Sequence, residues 1–149
     1  MKKNFTNLSM NLIKFFLSKI YLVLYSLWKL SYCLKILSTK KFNTKIISVG
    51  NISVGGTGKT PTIELISREL SKKNTSHCIV SRGYKKQQAG LTVVSNGKKI
   101  TSSIKEAGDE AYMLAKMLKK IPIIVGNKSS AISLAISRFK PELILVDDG

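Results

Sequence analysis

A lysine and a threonine opening a helix, paired aspartates after an apolar run, and a Gly-Asp-Glu triplet are the residues here whose types and spacing could do chemistry. The run Ile46-Ile47-Ser48-Val49-Gly50-Asn51-Ile52-Ser53-Val54-Gly55-Gly56-Thr57-Gly58-Lys59-Thr60 carries a hydrophobic strand into a glycine-rich turn, and Gly-Lys-Thr then opens a helix. In that context glycines let backbone N–H groups close around phosphate oxygens, reinforced by the positive helix end. Gly55, Gly56, Thr57 and Gly58 would form the cradle, Lys59 would reach the β- and γ-phosphates, and the Thr60 hydroxyl would sit on magnesium. Pro61 falls in the first helical turn, where its missing N–H costs little. The first glycine of the usual G-x-x-x-x-G-K-[ST] spacing is replaced by Ser53, which Gly55 and Gly56 can offset within the loop. The alternative is a glycine turn with a structural role only.

The second signal is Leu143-Ile144-Leu145-Val146-Asp147-Asp148, a buried apolar strand ending in acids. A carboxylate at the carboxyl edge of such a strand holds magnesium directly or through water, the Walker-B arrangement, which makes Asp147 and Asp148 the metal-side candidates. Gly108-Asp109-Glu110 opens another predicted helix, where the residues alone favour Asp109 as an N-cap. Ser81-Arg82-Gly83-Tyr84 ends a strand on the side where open α/β sheets bind ligands, and Arg82 could hold a phosphate in a bidentate contact. Lys85 and Lys86 beside it read equally well as a solvated loop. His77 and Cys78 read as strand-start residues without a chemical role.

These groups need elements to position them, and the pattern after residue 45 supplies an α/β alternation. Strands are predicted at Ile46 to Val49, Cys78 to Ser81, Thr92 to Ser95, Ile123 to Val125 and Leu143 to Val146, with Asn96-Gly97 as a hairpin turn. Helices are predicted at Lys59 to Lys73, Asp109 to Lys120 and Ser129 to Phe139. The chain has 149 residues, 44% of them hydrophobic, with Gly 10 and Pro 3. That is one modest domain able to build a core, not a disordered chain. Two cysteines far apart and a single histidine argue against a disulfide framework, a zinc site or a self-contained Ser-His-Asp centre, and a reducing compartment fits best.

Lysine and arginine number 25 against 8 acids, a formal net charge of +17, which predicts an anionic partner. No acid occurs before Glu64, so the asymmetry belongs to the N-terminal third. There, Asn7 to Ser38 lacks proline, glycine and acids and reads as one long helix. Its longest uncharged run, Ile20 to Trp28, would cover roughly 14 Å, about half a hydrocarbon core, so a clean spanning segment is not expected. Lys14, Lys19, Lys29 and Lys35 occupy roughly 200° of the circumference and leave a sector of Phe, Leu and Tyr. With Trp28, Tyr21, Tyr25 and Tyr32, this fits a helix lying at an anionic water–lipid boundary. A core helix with a basic outer face is the competing reading. The organisation is thus a membrane-associated helix over 1–41, with a basic linker at Lys40 to Lys45, and a phosphate-loop domain over 42–149.

Taken in order, the loop from Val49 to Pro61, Ser81-Arg82-Gly83-Tyr84, Gly108-Asp109-Glu110, Pro122-Ile123-Ile124-Val125-Gly126 and Val146-Asp147-Asp148-Gly149 resemble the tetraacyldisaccharide 4'-kinase family of lipid A synthesis, over nearly the whole chain. That family tolerates serine at the position of Ser53. The resemblance implies a mostly parallel phosphate-loop sheet with flanking helices, and ATP- and magnesium-dependent phosphorylation of the 4'-hydroxyl of a lipid A disaccharide 1-phosphate. It also implies an N-terminal membrane helix at the cytoplasmic face of the bacterial inner membrane. It gives Asp109 the role of deprotonating the sugar hydroxyl, outweighing the cap reading; Arg82 would meet substrate or nucleotide phosphate, and Glu110 the substrate. Members of the family are longer, continuing Asp-Asp-Gly into a second half that completes the nucleotide site and contributes a histidine. This chain is therefore expected to be the N-terminal half alone, from a truncated or split gene or an incomplete sequence, inactive without a separate C-terminal half. Its last strand is expected to be an uncovered sheet edge of marginal stability.

Two other functions compete. A non-catalytic, membrane-bound nucleotide-binding fragment would bind vesicles without hydrolysing ATP. A GTPase-like or nucleic-acid-dependent ATPase would use the basic charge, but the lysines cluster on an apolar helix, so no nucleic acid is expected. Gly126-Asn127-Lys128-Ser129 also lacks the aspartate of a guanine-specificity run.

Overall fold

Short β-branched runs separated by helical stretches fold, in a computed structural model of the chain, into the expected α/β sheet. The structure describes residues 2–34, 36–37, 40–50, 58–84, 86–87 and 89–147, with side chains from residue 12 onward. The chain divides into two units, Met1–Lys41 and Phe42–Gly149.

In the first unit a single helix, α1, runs Lys2–Cys33. It starts and stops earlier than the composition suggested. Beyond Cys33 the hydrogen bonds lengthen their span: the N–H groups of Ile36 and Leu37 both donate to the Ser31 carbonyl, at 2.9 and 3.1 Å, which closes the helix without proline or glycine. Every large apolar side chain described on α1, from Leu12 to Tyr32, is exposed. Among the described residues no helix is long and apolar enough to cross a membrane.

The second unit holds β1 (Lys45–Val49), α2 (Lys59–Lys72), β2 (His77–Ser81), β3 (Thr92–Asn96), α3 (Ile104–Ala107), α4 (Asp109–Met117), β4 (Pro122–Val125), α5 (Lys128–Phe139) and β5 (Leu143–Asp147). The strands form one sheet in the order β1-β5-β2-β4-β3. All pairings are parallel except β3 with β4. The expected uncovered edge is therefore misplaced: β5 lies inside the sheet between β1 and β2, and every one of its residues is buried. A fully apolar run such as Leu143 to Val146 marks a strand covered on both faces, so its composition belongs to an inner position.

Alternation along the strands divides the core in two. Ile79, Ile123, Val125, Leu143 and Leu145 meet Ile63 of α2 and Ala111, Leu114 and Ala115 of α4 on one face. Cys78, Val80, Ile124, Ile144 and Val146 meet Ala131, Ile132 and Ala135 of α5 on the other, with Phe42 packed alongside. Small residues on α4 and α5 let these helices approach the sheet closely.

Two departures from the expected elements have local causes. α4 stops at Met117 rather than Lys120 because Leu118 leaves helical geometry (φ −112°, ψ 61°) and its carbonyl accepts from Ile121 N–H at 3.0 Å. The one-turn helix α3 was not foreseen, although Ser103-x-x-Glu106 is a capping-box spacing. The Glu106 carboxylate accepts from both the N–H and the hydroxyl of Ser103, each at 2.8 Å. The Asn96-Gly97 hairpin forms as expected: Asn96 Oδ1 accepts from the N–H groups of Lys98 and Lys99, and Gly97 takes φ +80°.

Candidate active site at the carboxyl edge of the sheet

Parallel strands release their chains at a common edge, and the chemistry-bearing residues gather there. Register pairs Val49 of β1 with Asp147 of β5, and Asp147 with Ser81 of β2. The end of the strand that leads into the glycine loop, the strand-end aspartate and the start of the Ser-Arg-Gly-Tyr turn thus lie side by side on three adjacent strands.

Asp147 is 3% exposed, and one carboxylate oxygen accepts a hydrogen bond from the Ser81 hydroxyl at 3.3 Å. Asp147 shares a face with Leu143 and Leu145, the face covered by α2. Lys59 and Thr60 form the first turn of that helix, each half-buried. Gly58 precedes them as N-cap in the left-handed conformation (φ 75°, ψ 21°), and its carbonyl accepts from the N–H and hydroxyl of Thr62. A glycine fits because that backbone conformation burdens any residue with a Cβ. Gly55, Gly56 and Thr57 of the proposed cradle, and Asp148, lie outside the described residues.

The second carboxylate group arrives from α4. The cap reading of Asp109 does not hold: Gly108 is the N-cap (φ 82°, ψ 154°) and Asp109 is the first helical residue, with Glu110 behind it. Both acids are exposed. Their helix end is held against the turn after β2 by two glycines. A Cβ on Gly108 would lie 2.4 Å from the Tyr84 carbonyl oxygen, and one on Gly83 would lie 3.1 Å from Val125 Cβ and 3.3 Å from the Ala107 carbonyl oxygen. Gln87 N–H donates to the Lys105 carbonyl at 2.9 Å and fastens the same turn to α3. The Gly-Asp-Glu triplet and the Ser-Arg-Gly-Tyr turn are therefore one packed unit, a relation that their separation in sequence conceals.

Arg82 is exposed and lines a cavity of about 390 Å³ with Lys86, Gly126, Asn127 and Ser130 at the start of α5. Gly126 N–H donates to the Ser81 carbonyl at 3.0 Å, which ties the β4 exit to the same edge. Lys86, for which a solvated loop was one of two readings, is half-buried here, and its ammonium donates to the Gly90 carbonyl. Ser81 is the residue that sequence reasoning passed over: its motif was noticed, but a hydroxyl bonded to the strand-end aspartate has no signature in spacing. A slightly larger cavity, about 410 Å³, opens among His77, Gly97 and Pro122 at the opposite end of the strands and holds none of these residues. His77 there is buried, its Nε2 2.8 Å from the Ser67 hydroxyl and its Nδ1 2.9 Å from the Thr75 carbonyl oxygen, which accounts for both ring nitrogens.

A buried carboxylate and a threonine hydroxyl are hard oxygen donors of the kind magnesium takes alongside substrate phosphates and water. Among the described residues there is no cluster of three or more His, Cys, Asp or Glu side chains able to hold a metal by themselves.

Residues 10–149 match the family model of tetraacyldisaccharide-1-P 4'-kinase. The tetraacyldisaccharide 4'-kinase of Halothermothrix orenii is 43% identical over 136 residues, covering 89% of this chain and 35% of its own. That of Aquifex aeolicus is 39% identical over 114 residues, covering 76% and 36%. Among solved structures, LpxK from Aquifex aeolicus in complex with ATP aligns with a TM-score of 0.75 at 35% identity, over 87% of this chain and 41% of that one. This chain thus spans well under half the length of the relatives it matches. With the loop strand, the strand-end aspartate and the Gly-Asp-Glu helix brought to one edge, and a family match running from residue 10 to residue 149, the chain belongs to the tetraacyldisaccharide-1-P 4'-kinase family.

Proposed function

We propose that this chain carries the ATP-binding part of a tetraacyldisaccharide 4'-kinase, which moves the γ-phosphoryl group of ATP to the 4'-hydroxyl of a tetraacyldisaccharide 1-phosphate and releases ADP. The observation that carries the reading is the register Val49–Asp147–Ser81, which sets the phosphate-loop strand directly beside a buried aspartate. Phosphoryl transfer asks little covalent chemistry of a protein and much positioning and charge neutralisation. Gly55 to Gly58 cradle the triphosphate with backbone N–H groups, and Lys59 places its ammonium against the β- and γ-oxygens. Thr60, Asp147 and Asp148 would hold magnesium, which when bound neutralises charge on the transferring group. Ser81 fixes the rotamer of Asp147. Asp109, exposed and free of capping duty, takes the proton from the attacking hydroxyl. Arg82 and Glu110 meet the substrate.

Helix α1 places this machinery at an anionic membrane surface, in this reading the cytoplasmic face of the bacterial inner membrane. Support comes from its side chains. Tyr21, Tyr25, Trp28 and Tyr32 form one continuous stripe, with ring centroids 6.3, 6.1 and 5.1 Å apart, suited to the headgroup boundary. Lys19 lies 5.3 Å from the Phe15 ring, an arrangement in which an apolar body and a cation share one face.

The test is transfer of labelled phosphate from ATP to the lipid A precursor, by this chain alone and together with a polypeptide covering the remainder of the relatives' length. Transfer that is abolished by Asp109→Asn and Lys59→Ala supports the reading; no transfer in either arrangement defeats it. The competing reading is nucleotide binding at the membrane without turnover. It predicts ATP uptake with no transfer.

A further inference from the structure

The basic excess is not confined to α1. Of the 25 lysines and arginines, 17 lie after residue 41, against 8 acids, so the second unit is strongly basic by itself. No acid occurs from Leu70 to Lys105 or from Ala111 to Pro141, and the fold brings these two segments together. Asn96 pairs with Pro122, the first residue of β4, at the end of the sheet opposite Asp147. There Asn96 Oδ1 accepts from the N–H groups of Lys98 and Lys99, each at 2.9 Å, and shapes the hairpin. Gly97 seats that hairpin on the chain leaving α4, since a Cβ on it would lie 3.1 Å from the Lys120 carbonyl oxygen. Lys98-Lys99 and Lys119-Lys120, distant in sequence, thus become neighbours.

Lys98, Lys99, Lys116 and Lys119 rim a cavity of about 380 Å³ completed by half-buried Ile100 and buried Ala115. All four lysines are exposed, and among the described residues none of them pairs with a carboxylate. Like charges gathered without counter-charge repel one another and oppose the compact state. Protection of the β3 edge accounts for Lys98 and Lys99, and complementing the α4 dipole accounts for Lys116. Neither explains four ammonium groups around one apolar recess.

We infer that this recess docks an acidic segment of a partner protein, its carboxylates on the lysine rim and one apolar side chain against Ile100 and Ala115. Each exposed ammonium–carboxylate pair contributes little alone, so binding comes from the set, with the apolar contact fixing the register. Nucleic acid suits the recess less well, because its recognition draws on arginine forks and free aromatic faces. The rim is lysine alone, and neighbouring Tyr112 already has the Lys116 ammonium 5.0 Å from its ring. A bilayer also suits it less well: in the proposed kinase reading the lipid substrate meets the carboxyl edge, the far end of the sheet. Only this last exclusion rests on that reading.

The test is fluorescence anisotropy of the full chain with a labelled peptide of glutamates around one central leucine. Lys98→Glu combined with Lys119→Glu is compared with Lys40→Glu combined with Lys41→Glu, which changes the net charge equally at exposed residues outside the recess. The recess variant is expected to weaken peptide binding by about tenfold or more and the control variant by about twofold or less, with added salt weakening both. Lys98→Ala combined with Lys119→Ala should rank between them. A serine in place of the peptide's leucine should weaken binding roughly threefold to tenfold. Because no ion pair is lost, the recess variants should melt at or above the temperature of the parent chain. Equal weakening by recess and control variants overturns the inference. So does recess-dependent binding of an oligonucleotide of equal charge, or of anionic vesicles, in place of the peptide. Peptide binding should persist when a polypeptide covering the remainder of the relatives' length is co-expressed; its loss there makes that polypeptide the occupant and overturns the inference. Phosphate transfer should be unchanged in the recess variants, so absence of transfer in the parent chain defeats the kinase reading while leaving the peptide result to stand or fall alone.

Discussion

Replacing Gly108 by alanine should damage this fold more than the loss of any other turn glycine among the described residues. The backbone at Gly108 (φ 82°, ψ 154°) lies in a region essentially reserved for glycine, where another residue costs roughly 1–3 kcal/mol. The added methyl would also sit 2.4 Å from the Tyr84 carbonyl oxygen, a backbone atom that cannot swing aside, and forced overpacking of this kind costs about 1–3 kcal/mol more. The sum, roughly 2–6 kcal/mol, is comparable to the whole stability of a small domain. Gly90→Ala is the control. Its φ of +97° is also unfavourable to alanine, but nothing lies within 4 Å of the new methyl, so only the conformational cost of about 1–2 kcal/mol applies. Urea unfolding followed by circular dichroism, with a slope of about 1–3 kcal/mol per molar, separates the two variants by a readily measured midpoint shift. Were the two variants to agree within about 0.5 kcal/mol, the close seating of the Gly-Asp-Glu helix on the turn after β2 would be refuted.

Burial pushes the Cys78 thiol up from 9.0 to about 12, so its contribution to stability is complete below about 9 and is lost as pH rises through about 12. Unfolding midpoints should fall across that window, less steeply in Cys78→Ala, and a thiol reagent should label exposed Cys33 at once but Cys78 only on unfolding. Hydrogen bonds from the Ser103 N–H and hydroxyl hold the Glu106 carboxyl below its usual range, so the cap they form is present above that range and lost on acidification; Ser103→Ala should weaken this acid dependence in a urea–pH series. Lys59→Ala should lower ATP affinity by roughly 10- to 100-fold in calorimetry, the scale of a charge-assisted hydrogen bond. Removing residues 1–41 should abolish co-sedimentation with anionic phospholipid vesicles, and added salt should weaken binding of the intact chain.

The strands were legible because their apolar runs are short and bounded by glycine, proline or polar clusters, and each observed strand starts or ends within a residue of its sequence counterpart. The α3 turn was missed because four residues carry no periodicity, leaving only the Ser103–Glu106 spacing as a signal. The site was legible as motifs, since glycine, lysine and aspartate have narrow uses at strand and helix ends. What the sequence could not convey was which motifs touch. Ser81 meets Asp147 only because β2 and β5 are neighbours, and Gly108 meets Tyr84 only through tertiary packing. The misplaced edge has the same origin: strand order is set by crossovers, and an apolar run at the end of a sequence says only that it is buried.

That strand order also dictates a sequence of events during synthesis. β1 emerges early, but the strand that holds it, β5, follows only after α2, β2, β3, α3, α4, β4 and α5, and β5 is also what joins β1 to β2. All the elements between β1 and β5 must leave the ribosome before the loop that would grip ATP gains its scaffold. Contacts so distant along the chain form slowly. Ile46 and Ile47 therefore stay available to chaperones and to unwanted association until β5 has been made.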